Sequence, residues 1–295
     1  MRPGTVSVVI VTHNSAADIA RCLSSLLQHT PRREIIVVDN ASKDDTGAII
    51  ERQFPEAQLI SRGTNGGLSA AINDGVCASS GEYVLQLNPD TWVEADVLSP
   101  VAAYFAAHPD VGIVGPRILN ADGSVQLSCR AFPGYTTALF NRYSLLTRLA
   151  PNNRFSRRYL LTDFDHASER AVDWVSGAAM FFRRSAFDAV GGWDSRFFLF
   201  NEDVDFCKRV HNAGMRVMYY PDVSIHHRIG ISESASPWVI VQRHKSMWRY
   251  YRKHLSGNAL RDAATAAGIA ARAVVMLAAG GVMRKVRARP KGSTR

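Results

Sequence analysis

Four apolar runs, each closing in polar residues and each followed by a helical pattern, constrain this chain more than any other feature. Val6-Ser7-Val8-Val9-Ile10-Val11 ends in Thr12-His13-Asn14, and Glu34-Ile35-Ile36-Val37-Val38 ends in Asp39-Asn40. Ala57–Ile60 runs into Asn65-Gly66-Gly67, and Tyr83-Val84-Leu85-Gln86-Leu87 stops at Asn88-Pro89-Asp90. Near-continuous apolar runs of this length read as strands buried on both faces, the habit of parallel sheets. Between them Ile19, Leu23, Leu26 and Leu27 recur at helical spacing, with Ser15 or Asn14 as a cap and Pro31 as a stop. Ser42-Lys43-Asp44-Asp45 opens a second helix carrying Ile49 and Ile50, and Ala70, Ala71, Asn73 and Val76 lie on a third. The alternation predicts an α/β fold with a doubly wound, mostly parallel sheet.

Such sheets bind ligands at the carboxyl ends of their strands. Thr12, His13, Asn14, Asp39, Asn40, Asn65, Gly66, Gly67, Asn88 and Asp90 are thereby expected along one crevice. Pro89 cannot extend a central ladder, so Asp90 projects from a tight turn, where a carboxylate suits a hard divalent cation and the cation a diphosphate. Taken singly, Asn-Pro-Asp also reads as a turn capping the next helix, and Asn-Gly-Gly as a plain turn. Asp39 can accept from a base N–H or a ribose hydroxyl, and the glycines let the backbone approach a phosphate. No G-x-G-x-x-G follows the first strand and no G-x-x-x-x-G-K-[ST] occurs anywhere, which argues against a nicotinamide-dependent oxidoreductase and against a P-loop protein.

The second half is less regular. Ile113-Val114-Gly115-Pro116 predicts a short strand and Asn120–Ser124 a hairpin-like turn. From Tyr135 to Arg170, Leu and aromatic residues alternate with Arg142, Arg148, Arg154, Arg157 and Arg158. This stretch reads equally as a basic-aromatic loop beside the site or as a surface excursion with snorkelling arginines. Trp174 to Phe182 predicts one continuous strand, and Ser185 with Asp188 forms a capping box for a short helix ended by Gly191-Gly192. Trp193-Asp194 and Phe197–Phe200 then precede Glu202-Asp203-Val204-Asp205, three acids in four positions. Aromatic faces stack on sugar rings, and carboxylates bind sugar hydroxyls or take their protons. A helix over 204–212 ends at Gly214, and a strand around Val217–Tyr220 leads to His226-His227, either surface residues or a source of metal ligands.

The 295 residues hold two small domains or one large domain with an appendage. Cys22, Cys77, Cys129 and Cys207 are scattered and read as reduced core thiols of a cytoplasmic protein; the first apolar run turns polar at Thr12 and reads as a strand, not a secretory leader. Charge is uneven: residues 239–295 carry 13 Lys/Arg against the single acid Asp262, or +12, and the remainder sums to −3. A slightly acidic body has no basic groove for nucleic acid, so the electrostatic partner belongs to the tail. Residues 243–254 are basic and aromatic, Ala263 to Met283 is apolar apart from Thr265 and Arg272, and Arg284, Lys285, Arg287, Arg289 and Lys291 follow. That composition predicts a helix lying on an anionic membrane surface rather than crossing it, with an Ala-rich helix packed on the rest of the chain as the alternative.

These stretches together resemble a known family. Val8–Asn14, Val37-Val38-Asp39-Asn40-Ala41-Ser42, Asn65-Gly66-Gly67 with Asn73 and Gly75, Leu87-Asn88-Pro89-Asp90, Gly177-Ala178 with Arg183-Arg184, Gly191-Gly192-Trp193-Asp194 with Phe197-Phe198, Glu202–Asp205, and His227 with Gly230 and Ser232 stand in the order found in family-two glycosyltransferases. The resemblance covers about residues 5–255 and extends to the bacterial rhamnosyltransferase-like branch that builds cell-surface polysaccharide. It implies a GT-A fold over 1–255, with a donor half to about 115, an acceptor half from 116, and a basic Ala-rich tail over 256–295.

It further implies that Asp39 binds the nucleotide base and that Asp90 is the last acid of a metal-binding D-x-D. Asn88 stands where many relatives have the first acid, so that motif supplies Asp90 alone. His227 resembles the C-terminal metal and diphosphate ligand, for Mn2+ or Mg2+. Asp203, beside Glu202, resembles the general base. Asn73 joins the donor set, and Trp193, Asp194, Phe198 and Asp205 the acceptor set. The implied partners are a dTDP- or UDP-sugar and a saccharide or lipid-linked acceptor, on the inner face of the plasma membrane; a homodimer is compatible.

Overall fold

Hydrophobic patterning of this kind is realised as a ten-stranded mixed sheet. The computed structural model describes residues 1–30, 34–135, 153–228 and 236–287. Pro31, Arg142, Arg148, Gly230, Ser232, Arg289 and Lys291 lie outside the described residues, as does most of the basic-aromatic stretch after Tyr135. Strands β1 (Arg2–Thr12), β2 (Glu34–Asp39), β3 (Gln58–Ser61) and β4 (Gly81–Leu87) pair in the order β3-β2-β1-β4, all parallel. They alternate with helices α1 (Ile19–His29), α2 (Thr46–Gln53) and α3 (Leu68–Ala78). Val6, Val8 and Ile10 face one core with Ile19, Leu23 and Leu26 of α1. Val9 points the other way, against α3, where a Cβ on Gly75 would come within 2.4 Å of its methyl group. Burying each such aliphatic side chain contributes about 1.5–3 kcal/mol.

The chain then runs through β5 (Thr91–Trp92), α4 (Leu98–Ala107), β6 (Val111–Leu119), β7 (Val125–Gln126), β8 (Cys129–Arg130), α5 (Arg154–Leu160), β9 (Arg170–Ala171), β10 (Trp174–Val175), β11 (Ala179–Arg183), α6 (Arg184–Ala189), α7 (Glu202–Asn212) and β12 (Arg216–His227). Strand β11 enters antiparallel between β4 and β6, β12 runs parallel to β6, and β5 closes the edge antiparallel to β12. A second, two-stranded sheet joins β8 to β10.

Several local expectations are corrected. The run from Trp174 to Phe182 is two strands in different sheets, because the backbone N–H groups of Ser176 and Gly177 leave the ladder for Ser128 O and Asp203 Oδ2. Helix α1 is not capped by the side chain of Asn14 or Ser15; Ser15 accepts Asp18 N and Ile19 N through its carbonyl, and Asn14 takes a positive φ of 54°. Ser185 lies inside α6, whose N-cap is Arg183, and makes no capping bond. Cys77 is exposed, unlike the other three thiols. Arg184 braces the end of β4 remote from Asp90, and Arg183 the turn from α4 into β6. Arg184 donates to Gly81 O, Val76 O and Ser79 O at 2.8, 3.0 and 3.1 Å, and Arg183 to the carbonyls of Val111, Phe105 and His108.

By contact density the chain forms two units, Met1–Phe198 with Glu202–Ile229, and Leu199–Asn201 with Gly230–Arg295. The second contains α8 (Pro237–His254) and α9 (Ala259–Arg287), so the expected boundary at 255 falls between its two helices. Ser236 caps α8 by accepting Val239 N, with Pro237 in the first turn. Asp262 staples the two helices, accepting Tyr251 OH and Ser256 Oγ at 2.7 Å each. Ala259–Ala279 is long and apolar enough to cross a membrane, and Leu260, Val274 and Val275 on it are exposed.

Candidate active site

The parallel strands deliver their polar ends to one edge of the sheet, as the topology requires. Thr12 and Asp39 are register partners on β1 and β2, and both are buried. Asp39 Oδ1 accepts from Ser42 N at 3.1 Å and Ser42 Oγ at 2.5 Å, with Thr12 Oγ1 at the outer limit of 3.5 Å. Ser42 thus fixes the carboxylate; it belongs to the quoted Asp39–Ser42 stretch, where the Asp-x-x-Ser turn spacing marks it. His13 Nδ1 donates to Asn40 O at 3.0 Å, and Asn14 accepts from Lys43 N and donates its own N–H to Ser42 Oγ.

Asn40 organises the glycine loop. Its Nδ2 donates to Asn65 Oδ1 at 2.9 Å and Gly67 O at 3.2 Å, and its Oδ1 accepts from Gly66 N and from Arg62, both at 3.2 Å. Arg62, ion-paired to Asp74 at 3.2 Å, went unassigned in the sequence because a lone Arg before Asn-Gly-Gly has no pattern. Gly67 has φ 88°, and a Cβ there would sit 2.7 Å from Phe198 O, which accepts from Leu68 N at 2.8 Å. Only glycine fits this close approach.

The carboxyl end of β4 is tied to the second half of the chain. Leu87 is opposite Ala179 of the antiparallel β11, and Asn88 N donates to Ala178 O at 2.9 Å. Gly177, one residue earlier, donates to Asp203 Oδ2 at 3.0 Å. Gln86, buried in β4, donates to Asn88 Oδ1 at 3.3 Å and turns its unpartnered Oε1 toward Gly177. Asn88 and Asp203 therefore belong to one contiguous cluster although they lie in different halves of the chain.

Asp203 and Glu202 open α7 rather than preceding it. Burial pushes the Glu202 carboxyl well above its ordinary range, with the neighbouring Asp203 charge adding to the effect, and Glu202 Oε2 has no hydrogen-bond partner. Burial also raises Asp203, against the opposing N–H groups of Gly177 and Val204 and the positive charge of Arg130. A carboxylate held by two backbone donors and raised in this way is suited to accept a proton from a hydroxyl.

Asp90 is followed not by a helix but by β5, whose Thr91 is the register partner of His227 at the end of β12. That pairing sets His227 Nε2 3.4 Å from Asp90 Oδ1. Both histidines belong to the strand itself; His226 instead stacks on Trp92 at 4.7 Å. Asp90 Oδ1 is buried and lacks a hydrogen-bond partner. An imidazole nitrogen facing an unsatisfied carboxylate oxygen fits a divalent cation completed by diphosphate oxygens and water. Among the described residues no group of three or more His, Cys, Asp or Glu gathers to hold a metal, and Asp90 and His227 are the pair among them that meets at this point.

Other residues expected in the site have internal contacts. Asn73 brackets the Trp193 backbone, accepting its N–H at 2.9 Å and donating to its carbonyl at 2.8 Å. Trp193 and Asp205, expected against the acceptor, lie in the core instead: Trp193 stacks on Phe206 at 4.7 Å, and Asp205 pairs with Arg209 at 2.8 Å. Asp194 pairs with Arg196 at 2.7 Å at the surface.

A doubly wound sheet with an inserted antiparallel strand and acidic groups at its carboxyl edge defines a glycosyltransferase of the GT-A fold. The solved structures agree: GalNAc-T7 with UDP, GalNAc and Mn2+ superposes with a TM-score of 0.62 at 18% identity, over 84% of this chain and 47% of that one. The mannosyltransferase PcManGT of Pyrobaculum calidifontis, in complex with GDP-Man and Mn2+, gives 0.59 at 20% identity over 100% of this chain and 77% of that one. The sequence profile of glycosyl transferase family 2 matches residues 7–191, and the chain belongs to that family. It is 30% identical over 263 residues, 85% of both chains, to the N-acetylglucosaminyl-diphospho-decaprenol L-rhamnosyltransferase of Mycobacterium tuberculosis.

Proposed function

We propose that this protein is an inverting, nucleotide-sugar-dependent glycosyltransferase of bacterial cell-wall or cell-surface glycan synthesis, with dTDP-rhamnose as the favoured donor and a saccharide or lipid-linked saccharide hydroxyl as acceptor. The observation that carries the reading is the Asn88–Ala178–Gly177–Asp203 link, which brings a raised carboxylate against the donor end of β4. Asp39, fixed by Ser42, takes the base or ribose; the loop of Asn65, Gly66 and Gly67 lies beside the donor. Asp203 removes the acceptor proton, the freed oxygen attacks the anomeric carbon from the face opposite the diphosphate, and the bond to the diphosphate breaks with its electron pair leaving on the nucleotide. The transition state resembles the oxocarbenium ion of inverting glycosidases. Asp90 and His227 would hold Mn2+ or Mg2+, which when bound offsets charge on the leaving diphosphate.

The rhamnose and lipid-linked readings are supported by the mycobacterial relative, whose name specifies both. A UDP-sugar donor is the alternative, supported by the UDP in GalNAc-T7. The basic, exposed α9 supports peripheral attachment to anionic lipid. Thermal shift against a panel of nucleoside diphosphates with Mn2+ tests the donor: dTDP should raise the midpoint most, since linkage stabilises only with what binds the native state. Preference for UDP transfers the assignment to the alternative, and no shift with any nucleotide rejects the glycosyltransfer reading.

A further inference from the structure

Gln126 belongs to no motif and sits on the two-residue strand β7, yet its side chain reaches His227 by two bonds. Its Nε2 donates to His227 O at 2.7 Å, and its Oε1 lies 3.1 Å from His227 Nδ1. The first bond fixes which way the amide faces, because the flipped amide would set oxygen against a carbonyl. An amide oxygen only accepts, so Nδ1 carries the hydrogen and the lone pair of the neutral ring is on Nε2. That lone pair faces Asp90 Oδ1 at 3.4 Å, an oxygen buried without a hydrogen-bond partner. Two electron-rich atoms held face to face repel unless a positive charge lies between them.

The backbone explains how a residue with no signature reaches this position. The hairpin turn at Asn120–Ser124 folds β7 back on β6, pairing Gln126 with Ile118, while β12 pairs Ile225 with the same Ile118. Gln126 reaches across β6 to one side of His227, and β5 brings Asp90 to it by pairing Thr91 with His227.

We propose that Gln126 is a positioning residue for the cation site: it locks His227 in the Nδ1–H tautomer and thereby presents Nε2, together with Asp90 Oδ1, to a divalent cation. This rests on the assignment of Asp90 and His227 as cation ligands. A partner of this kind orients a metal-binding imidazole and raises its basicity, and its loss typically weakens metal binding about 10–100-fold.

The test measures Mn2+ affinity of the full chain by electron paramagnetic resonance, without nucleotide, alongside 15N NMR of the His227 ring in the metal-free protein. Gln126→Leu is expected to weaken Mn2+ about 10–100-fold and to let the neutral His227 ring populate both tautomers. Gln126→Glu, which keeps an acceptor at Nδ1 but sets its second oxygen against His227 O, should retain the Nδ1–H tautomer and recover part of the affinity. Asp90→Asn is measured in parallel. If Asp90→Asn loses Mn2+ while Gln126→Leu keeps both affinity and tautomer, the positioning role is overturned and the cation site stands. If the unaltered chain binds no Mn2+, or Asp90→Asn binds as well as it does, the cation assignment falls and this inference with it. Should Gln126→Leu not fold, Gln126→Asn, one methylene too short to reach both atoms, replaces it; undiminished affinity there overturns the proposal equally.

Discussion

Gly177 N donates to Asp203 Oδ2 at 3.0 Å. This one bond connects the break between β10 and β11 to the first turn of α7, and so sets the proposed base beside the end of β4. A side chain at 177 would place its Cβ 3.3 Å from that of Asp203, so the glycine also keeps the approach open.

Asp203→Asn should reduce transfer by about 10²–10⁴-fold, the usual worth of general-base assistance. The amide keeps the shape and leaves the Asp39 and Ser42 contacts intact, so donor binding measured by calorimetry should be nearly unchanged. Turnover close to that of the unaltered enzyme would remove Asp203 from the base role and direct attention to Glu202.

The pair has a defined pH signature. Asp203 is raised, so the rate should fall as pH drops through an acid limb lying above the ordinary aspartate range. Glu202 is raised further, and its folded-state preference for the proton stabilises the protein below the unfolded carboxylate value and is lost as pH rises through the folded one. Glu202→Gln removes that loss. The melting temperature of the variant relative to the unaltered chain should therefore climb as pH rises above the ordinary carboxylate range, with the acid limb of the rate retained. A flat difference would mean that Glu202 is not raised.

Arg184 serves the fold and not the diphosphate. Arg184→Ala leaves three carbonyls near the start of β4 short of a donor and should cost about 2–3 kcal/mol of stability in denaturant unfolding. The KM for donor of the folded fraction should stay within about twofold, since a change below about 0.4 kcal/mol is expected at a site it does not touch. A large rise in KM at intact stability would place the arginine in the donor site.

The tail is tested by flotation with anionic liposomes, comparing the full chain with one ending at Gly257. Each basic residue near anionic lipid contributes about 1 kcal/mol, so binding should be salt-sensitive and lost on truncation. Salt-insensitive binding would indicate a spanning helix, and equal behaviour of the two chains would remove α9 from membrane attachment.

Much of the donor side was already determined by the residues themselves. Val6–Val11, Ile35–Val38 and Val84–Leu87 are apolar on both faces and alternate with helices, so they could become only neighbouring parallel strands, and a parallel sheet puts Thr12, Asp39 and Asn88 at one edge by construction. Tertiary structure alone decided the rest, because the remaining contacts are fixed by strand order and not by sequence spacing. The antiparallel insertion of β11 beside β4 couples Asn88 to Asp203, the pairing of β5 with β12 brings Asp90 to His227, and the β6–β7 hairpin delivers Gln126. Trp193 and Asp205 show the same limit from the other side: an aromatic or an acid looks alike in sequence whether it faces a ligand or the core, and only packing against Phe206 and Arg209 assigned them inward.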